Sequence, residues 1–405
     1  MAHIGLGTYR MTDLDPNHVA AIRIAVEAGV TLIDTSTNYM DGGAERAIAQ
    51  ALRGVSDETA AGVEIVSKFG YIQGSALERL KEEHFDDVVE YAEHVYHCID
   101  AAFMRDQLTR SLERLSRDRI DCYLIHNPEY YLLDAVAKGI PLEERLDGML
   151  QRIYDAFVAF EQEVKAGRIG GYGISSNGFA KPHTSEEFLP YGDLVTLAVN
   201  AARYAGNAEH SFTTVQFPLN LLERDGLLCA EWAKGKGLRV LVNRPLNAQR
   251  GSRMYRLADY DEPTDYFHHL NALLERFGRE PELHPLYNMV SELDRHRHRF
   301  GWIGDYEQFY HFQVLPLLRT VLTALPEANR PSTVESLEQF FAQYRKMVAH
   351  ECARRTRSEL SEELAGCTRL MEQCAIEYLL GLETVDYVLA GMRKPAYIAE
   401  FIGSK

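Results

Sequence analysis

The sequence predicts a (β/α)8 barrel with a large helical insertion after the seventh strand. Three observations carry this prediction. Eight short apolar runs rich in β-branched residues recur along the chain, with amphipathic helical stretches between them, the alternation that gives a buried parallel sheet. No G-x-G-x-x-G follows any of these runs, so the dinucleotide fingerprint of an open, doubly wound sheet is absent. Reactive side chains stand just past the ends of several runs, which is where a closed barrel assembles its chemistry.

Taken in order, His3 to Thr8 is a Gly-punctuated first strand. A helix over Asn17–Ala28 follows, with Pro16 at its start and Gly29 just past its end. The remaining strands are expected at Thr31–Asp34, Val63–Lys68, Ile120–Ile125, Ile169–Ile174, Thr213–Phe217, Leu238–Val242 and Val385–Leu389. Helical periodicity marks Ala44–Leu52, Phe103–Leu115, Gln151–Lys165, Leu222–Lys236 and Leu370–Leu379. Gly5 and Gly7 suit either tight packing at the barrel mouth or close approach of a ligand.

Two segments break the rhythm. Residues 70–102 are extra material rich in acidic residues and His; there Glu90, His94 and His97 fall at helical spacing, read as a polar loop helix near the substrate mouth. No fourth ligand accompanies them, so no metal site is expected. Between Leu246 and about Gly366 lie about 120 residues that are mostly helical by period and hold no convincing strand. The expected organisation is a barrel part at 1–246, a helical insertion at 247–365 on the catalytic face, and 366–405 completing the barrel with strand eight and a last helix. The basic run Arg295–Arg299 reads as a solvated or salt-bridged helix face.

The 405 residues carry a formal net charge of −16, which argues against nucleic acid or an anionic membrane as partner. No apolar stretch reaches transmembrane length, and Met1-Ala2-His3-Ile4-Gly5 shows no signal-peptide pattern, so a cytoplasmic location is expected. Cys98, Cys122, Cys229, Cys352, Cys367 and Cys374 form no C-x-x-C pair and are expected as six reduced thiols, Cys367 and Cys374 packing on one helix face.

Three strand ends now stand out. The second strand stops at Asp34, with Tyr39 in the loop that follows; the third ends at Lys68; the fourth runs into His126. An Asp after a strand is often only a turn former. A Lys at the end of an apolar strand needs a partner, however, and Asp34 is the carboxylate at hand. A cation beside the Tyr39 phenol is expected to lower its pKa toward neutrality and fit it for proton transfer.

The segments L-I-D-T-S-T-N-Y-x-D-G-G-A-E, I-V-S-K-F-G, I-D-C-Y-L-I-H-N-P-E and G-R-I-G-G-Y-G-I-S-S-N resemble the aldo-keto reductase superfamily over roughly residues 1–70, 103–246 and 366–403. That family is a (β/α)8 barrel whose catalytic Asp, Tyr, Lys and His match Asp34, Tyr39, Lys68 and His126. The resemblance implies reduction of a carbonyl, or oxidation of an alcohol, by a nicotinamide cofactor, with Tyr39 as proton donor, Lys68 tuning it, Asp34 holding Lys68, and His126 orienting the carbonyl. It further implies carboxamide contacts from Ser176, Asn177 and Gln216. Asn243 stands where many members carry a stacking aromatic residue, Leu246 closes that stretch, and Arg244 is expected over the ring or on the pyrophosphate. Gly391, Met392, Arg393, Tyr397 and Glu400 match the adenosine segment, with Tyr397 at the place of a phosphate-binding Arg. Arg393 and Lys394 favour NADP over NAD. The rival reading is a barrel of this family with vestigial activity, whose insertion binds a partner; a small-molecule carbonyl or alcohol is the partner implied by the first.

Overall fold

The computed structural model describes residues 2–82 and 85–402. Its centre is a closed parallel barrel of β1 (His3–Gly7), β2 (Leu32–Asp34), β3 (Glu64–Phe69), β4 (Ile120–His126), β5 (Ile169–Ser175), β6 (Phe212–Pro218), β7 (Arg239–Asn243) and β8 (Tyr387–Ala390). Each strand pairs with its neighbours in sequence, and β8 closes on β1 with His3 opposite Tyr387 and Leu6 opposite Ala390. All eight strands therefore lie where the apolar runs place them.

The period of two along a strand explains how this barrel is both packed and reactive. Leu32, Val66, Cys122, Leu124, Leu241 and Leu389 form one buried cluster. Two residues further along the same faces come Asp34, Lys68, His126 and Asn243. An apolar layer thus plugs the barrel, and a polar layer stands at the C-terminal strand ends. Gly5 belongs to the packing: a Cβ there would come within 2.9 Å of Leu389 and 3.1 Å of Leu32.

The helix after β1 spans Pro16–Glu27. Asp15 caps it by accepting from the Asn17 amide, and the chain leaves through Gly29 at φ 99°. It buries Ala21, Ile22, Ala25 and Val26, the i, i+1, i+4, i+5 stripe that faces a barrel wall. The helix predicted over Leu222–Lys236 starts later, at Gly226, because the chain first turns around Asn220, whose side chain accepts from the Leu222 and Glu223 amides.

The segment after β3 departs from expectation. It contains an antiparallel sheet of Tyr71–Ile72, Val95–His97 and Val89–Ala92, so His94 and His97 do not share a helix. His94 sits in the turn at φ 60°, and His97 closes the middle strand opposite both Tyr71 and Val89.

The chain divides into two compact units, one of Met1–Pro245 with Glu377–Lys405 and one of Leu246–Ile376. The second opens with a hairpin, Asn247–Arg250 against Arg253–Arg256, where no strand was expected. These strands are mostly polar, and Ala248 and Tyr255, opposite each other in the pairing, are their buried residues. Helices Tyr266–Arg279, His284–His296 and Arg330–Glu359 bury Tyr266, Leu270, Leu273, Phe277, Leu286, Val290, Phe340 and Tyr344, giving the unit its own core. Within the basic run Arg295 and His296 pair with Glu292, and Arg297 with Asp294 and Glu351. The cysteine expectation fails for one pair. Cys367 precedes the helix Met371–Leu380 and forms a disulfide with Cys374 inside it. The turn through Gly366, at φ 85°, and the residues after it brings their Cα atoms to 6.1 Å, within bridging range. Cys98, Cys122, Cys229 and Cys352 are free and buried. No helix among the described residues is long and apolar enough to cross a membrane.

Candidate active site

Lys68 is completely buried at the end of β3. Its ammonium donates to Asp34 Oδ2 at 2.8 Å and to the Thr35 carbonyl at 2.7 Å. The other oxygen of Asp34 accepts from Gln216 Nε2 at 2.6 Å. Asp34 is therefore an ion-pair partner and not merely a turn former. Burial pushes the Asp34 carboxyl up and the Lys68 ammonium down, and each is pulled back by the charge of the other.

The loop after β2 returns Tyr39 to this pair. Met40, Asp41 and Gly42 all take left-handed conformations, a tight reversal that the Asp-Gly sequence permits. Lys68 Nζ lies 5.1 Å from the centre of the Tyr39 ring. Glu45, at the start of the next helix, accepts from Ser67 at 2.7 Å and from Arg114 at 2.6 Å, anchoring that helix to β3. The direction of the Tyr39 shift is opposite to the one expected from sequence. Loss of hydration, then the Asp34 carboxylate and the Tyr9 hydroxyl, push the phenol well above its ordinary value. The Lys68 charge is engaged by Asp34 and Thr35 O, so Tyr39 is a firmly protonated phenol.

His126 ends β4 beside Tyr39, with ring centroids 6.1 Å apart. Burial, then the Lys68 charge and His97, hold its imidazole well below the usual range, so it is neutral. Its Nδ1 lies 3.1 Å from Ser36 Oγ, and Tyr71 packs edge-on at 4.8 Å. The inserted sheet supports it from behind: His97 Nε2 donates to the His126 carbonyl at 2.6 Å. Burial pushes His97 down to about 4, so this is a neutral imidazole serving as a backbone clamp. Gly70, at φ 148°, makes room for it, since a Cβ would stand 2.6 Å from His97 Nε2 and 2.7 Å from His126 O.

The cofactor candidates distribute as follows. The hydroxyl bonded to Gln216 belongs to Ser175, which donates to Gln216 Oε1 at 2.8 Å. Ser176 instead donates to buried Glu129 at 2.7 Å, and the Asn177 amide donates to the other Glu129 oxygen at 2.9 Å. Glu129 thereby clamps the β5 exit, and burial pushes its carboxyl up to about 7. Asn243 Nδ2 donates to Gln216 Oε1 at 3.4 Å, while its Oδ1 is buried with no partner among the described residues. Arg244, left-handed at φ 53°, turns its guanidinium to Glu223 at 2.9 Å. Leu246 begins the second unit, its carbonyl accepting from Leu257. Gly391 is exposed with open space at its Cβ position, Met392 is fully buried, and Tyr397 is exposed at the surface of the last helix, Pro395–Ile402. The side chain of Glu400 lies outside the described residues. Ser36, Ser175, Glu129 and His97 are the site residues that sequence reasoning did not assign.

A closed (β/α)8 barrel with an Asp, Tyr, Lys and His at consecutive strand ends defines the class. The profile of the Aldo/keto reductase family matches residues 3–285, and the chain belongs to that family. Methylglyoxal reductase YeaE of Escherichia coli (strain K12) is 32% identical over 126 residues, which are 30% of this chain and 34% of that protein. A Klebsiella pneumoniae aldo/keto reductase solved with NADP and acetate is 23% identical over 60% of this chain and 64% of its own, at a TM-score of 0.37. A holo aldo-keto reductase from Bacillus halodurans is 14% identical over 99% of this chain and 85% of its own, at a TM-score of 0.46. The chain thus spans about a third of the curated relative and just under two thirds of the Klebsiella protein.

Proposed function

We propose that this protein is an NAD(P)H-dependent reductase that interconverts an aldehyde or ketone with its alcohol, and that Tyr39 is its proton donor. The observation that carries the reading is the fully buried Lys68–Asp34 pair, with Lys68 Nζ 5.1 Å from the centre of the Tyr39 ring. A buried ion pair is costly to maintain and does not by itself stabilise a fold, which favours a chemical use for it.

The bound nicotinamide would supply the hydride. The chain's own residues do the rest. Tyr39 keeps its proton because burial disfavours the phenolate, and it yields that proton to an alkoxide, which is a stronger base. Asp34 fixes Lys68, and Lys68 holds positive charge beneath the phenol as the proton leaves. Asn243 Oδ1, without a partner among the described residues, suits an amide N–H donor such as a carboxamide, beside Gln216, which also accepts from Ser175; Ser176 and Asn177, at the β5 exit, are proposed for the same carboxamide. Arg393 and Lys394, at the start of the last helix, suit the 2′-phosphate of NADP, and NADP is the cofactor in the Klebsiella protein's crystal. NAD is the alternative.

The test is oxidation of NADPH and of NADH by the purified protein against a panel of aldehydes and ketones that includes methylglyoxal. Turnover with NADPH preferred is the expected result. Cofactor binding with no turnover on any carbonyl would replace this reading by that of a vestigial, partner-binding barrel.

A further inference from the structure

The chain makes an unfavourable step immediately after His126. Asn127 is buried and takes a left-handed conformation, φ 52°, and the next residue is Pro128. A proline pushes the residue before it toward extended backbone, and a Cβ disfavours the left-handed region. The local sequence thus works against the conformation in which β4 ends, and contacts from other elements have to hold it. One comes from β5, where the Ser175 carbonyl accepts from the Asn127 N–H at 2.7 Å. The others come from the inserted sheet. The pairing of β3 with β4 runs to Phe69 opposite Ile125, one residue short of His126, and β3 then leaves the barrel through Gly70. Two side chains of the sheet stand in beyond that point. His97 Nε2 lies 2.6 Å from the His126 carbonyl oxygen, which can only accept, so this nitrogen carries the proton of the neutral ring. Tyr71 pairs with His97 across the sheet, and its hydroxyl accepts from Asn127 Nδ2 at 2.5 Å while bonded to the Tyr130 hydroxyl at 2.7 Å. A hydroxyl both donates and accepts, so the Tyr71–Asn127 contact holds for either orientation of the amide. The Tyr71 ring also packs edge-on against the His126 imidazole at 4.8 Å.

We propose that Tyr71 and His97 are positioning residues: together they hold the strained His126–Asn127 step, and so fix where the His126 imidazole stands at the end of β4. The proposal rests on the reductase reading above, with His126 orienting the substrate carbonyl as the family resemblance implies. One cross-strand pair touches the carbonyl and the ring of His126 and the side chain of Asn127, so the inserted sheet works from behind the reacting groups. A small shift of the imidazole is enough to slow a reaction that needs its groups in line. The cofactor candidates of β6 and β7 are held by other bonds, Gln216 by Asp34 and Ser175 and Asn243 by Gln216. Loosening the step should therefore slow the chemistry and leave cofactor affinity unchanged.

The test separates the backbone step from the side-chain contact. Asn127→Ala and Asn127→Gly lose the same amide, but only glycine enters the left-handed region freely. Single-turnover oxidation of bound NADPH by an accepted carbonyl should slow about tenfold in Asn127→Ala and stay within about twofold of wild type in Asn127→Gly, with NADPH affinity unchanged in both. Equal loss in the two would overturn the proposal, since the amide and not the step would then matter. His97→Leu should slow the same reaction about tenfold, the worth of one hydrogen bond, and His97→Gln, whose amide still donates, should recover most of the rate. Tyr71→Phe keeps the ring and should slow it less. Wild-type rates in both Tyr71→Phe and His97→Leu would overturn the proposal; if His97→Leu does not fold, Tyr71→Phe and the Asn127 pair decide it. A second readout needs no turnover. In carbon–proton spectra of the histidine rings, with His126 assigned by its loss in His126→Gln, the His126 signal should move in Asn127→Ala and His97→Leu and return toward wild type in Asn127→Gly and His97→Gln. An unmoved His126 signal throughout would overturn the proposal. If the wild type reduces no carbonyl, the reductase reading fails, while this signal still decides whether the sheet positions His126.

Discussion

The strand ends of β2 to β4 and those of β5 to β7 are built on opposite plans. On the first side the polar groups satisfy one another through charge: Lys68 on Asp34 and Thr35 O, Ser67 and Arg114 on Glu45. On the second side the contacts are mostly between neutral amides and hydroxyls, Ser175 and Asn243 on Gln216, and one buried oxygen of Asn243 has no partner among the described residues. Of the carboxylates there, Glu129 is held by a hydroxyl and a backbone N–H instead of a cation, and Glu223 is held by Arg244 at the outer end of β7. The difference teaches where each half spends its hydrogen bonds. The charged half closes its ion pairs within the chain, although Thr35 Oγ1 is buried without a partner among the described residues, and it presents a proton on Tyr39. The neutral half keeps capacity in reserve, as a surface that receives another molecule must.

Breaking the charged half should have the largest effect. Lys68→Met leaves the Asp34 carboxyl buried without its cation and should cost about 3–5 kcal/mol of unfolding free energy, read from urea denaturation. Asp34→Asn should cost less, because its side-chain oxygen still accepts from Lys68. Equal stability for Lys68→Met and wild type would mean that the pair is solvated and the contrast between the halves is lost.

The neutral half should reveal itself through pH. Glu129 is raised from an ordinary 4.5 to about 7, so between those values the folded protein holds a proton that the unfolded chain has released. Its contribution to stability is therefore full below about 4.5 and is lost as pH rises to about 7, a fall of about 3 kcal/mol at most. Denaturation midpoints across that window should show the slope in the wild type and not in Glu129→Gln. The same slope in both would place the titration elsewhere.

How far this was legible differs between the halves. The eight strands could be read because buried parallel strands are continuous apolar runs. The positions of Asp34, Tyr39, Lys68 and His126, the proposed catalytic four, could be read because each follows such a run at fixed spacing. The direction of the Tyr39 shift could not, since it depends on depth and on which partner Lys68 takes. Nor could Ser175 be separated from Ser176, because adjacent serines at a strand end point to opposite sides and only the Gln216 contact distinguishes them. The sheet around His97 and the hairpin at 247–256 were hidden for another reason: their strands are only two to four residues long, too short for a periodic pattern to show. The Cys367–Cys374 bridge left no motif, as it depends on where the chain turns.

A smaller effect should sharpen the account of the neutral half. If Arg393 reads the 2′-phosphate, Arg393→Ala should weaken NADPH binding by about 1.5–3 kcal/mol, the range for a bond to a charged group, and leave NADH nearly unchanged in calorimetry. Equal loss for both cofactors would remove Arg393 from the discrimination.

The central claim is that the charged half exists to deliver the Tyr39 proton, and Tyr39→Phe tests it with least disturbance, since the ring stays and only the hydroxyl is lost. Single-turnover oxidation of bound NADPH by an accepted carbonyl is the measurement, with cofactor affinity determined on the same protein. The account predicts a rate at least ~10²-fold below wild type with affinity unchanged, as for loss of a positioned general acid. A Tyr39→Phe protein that turns over at near the wild-type rate would contradict it.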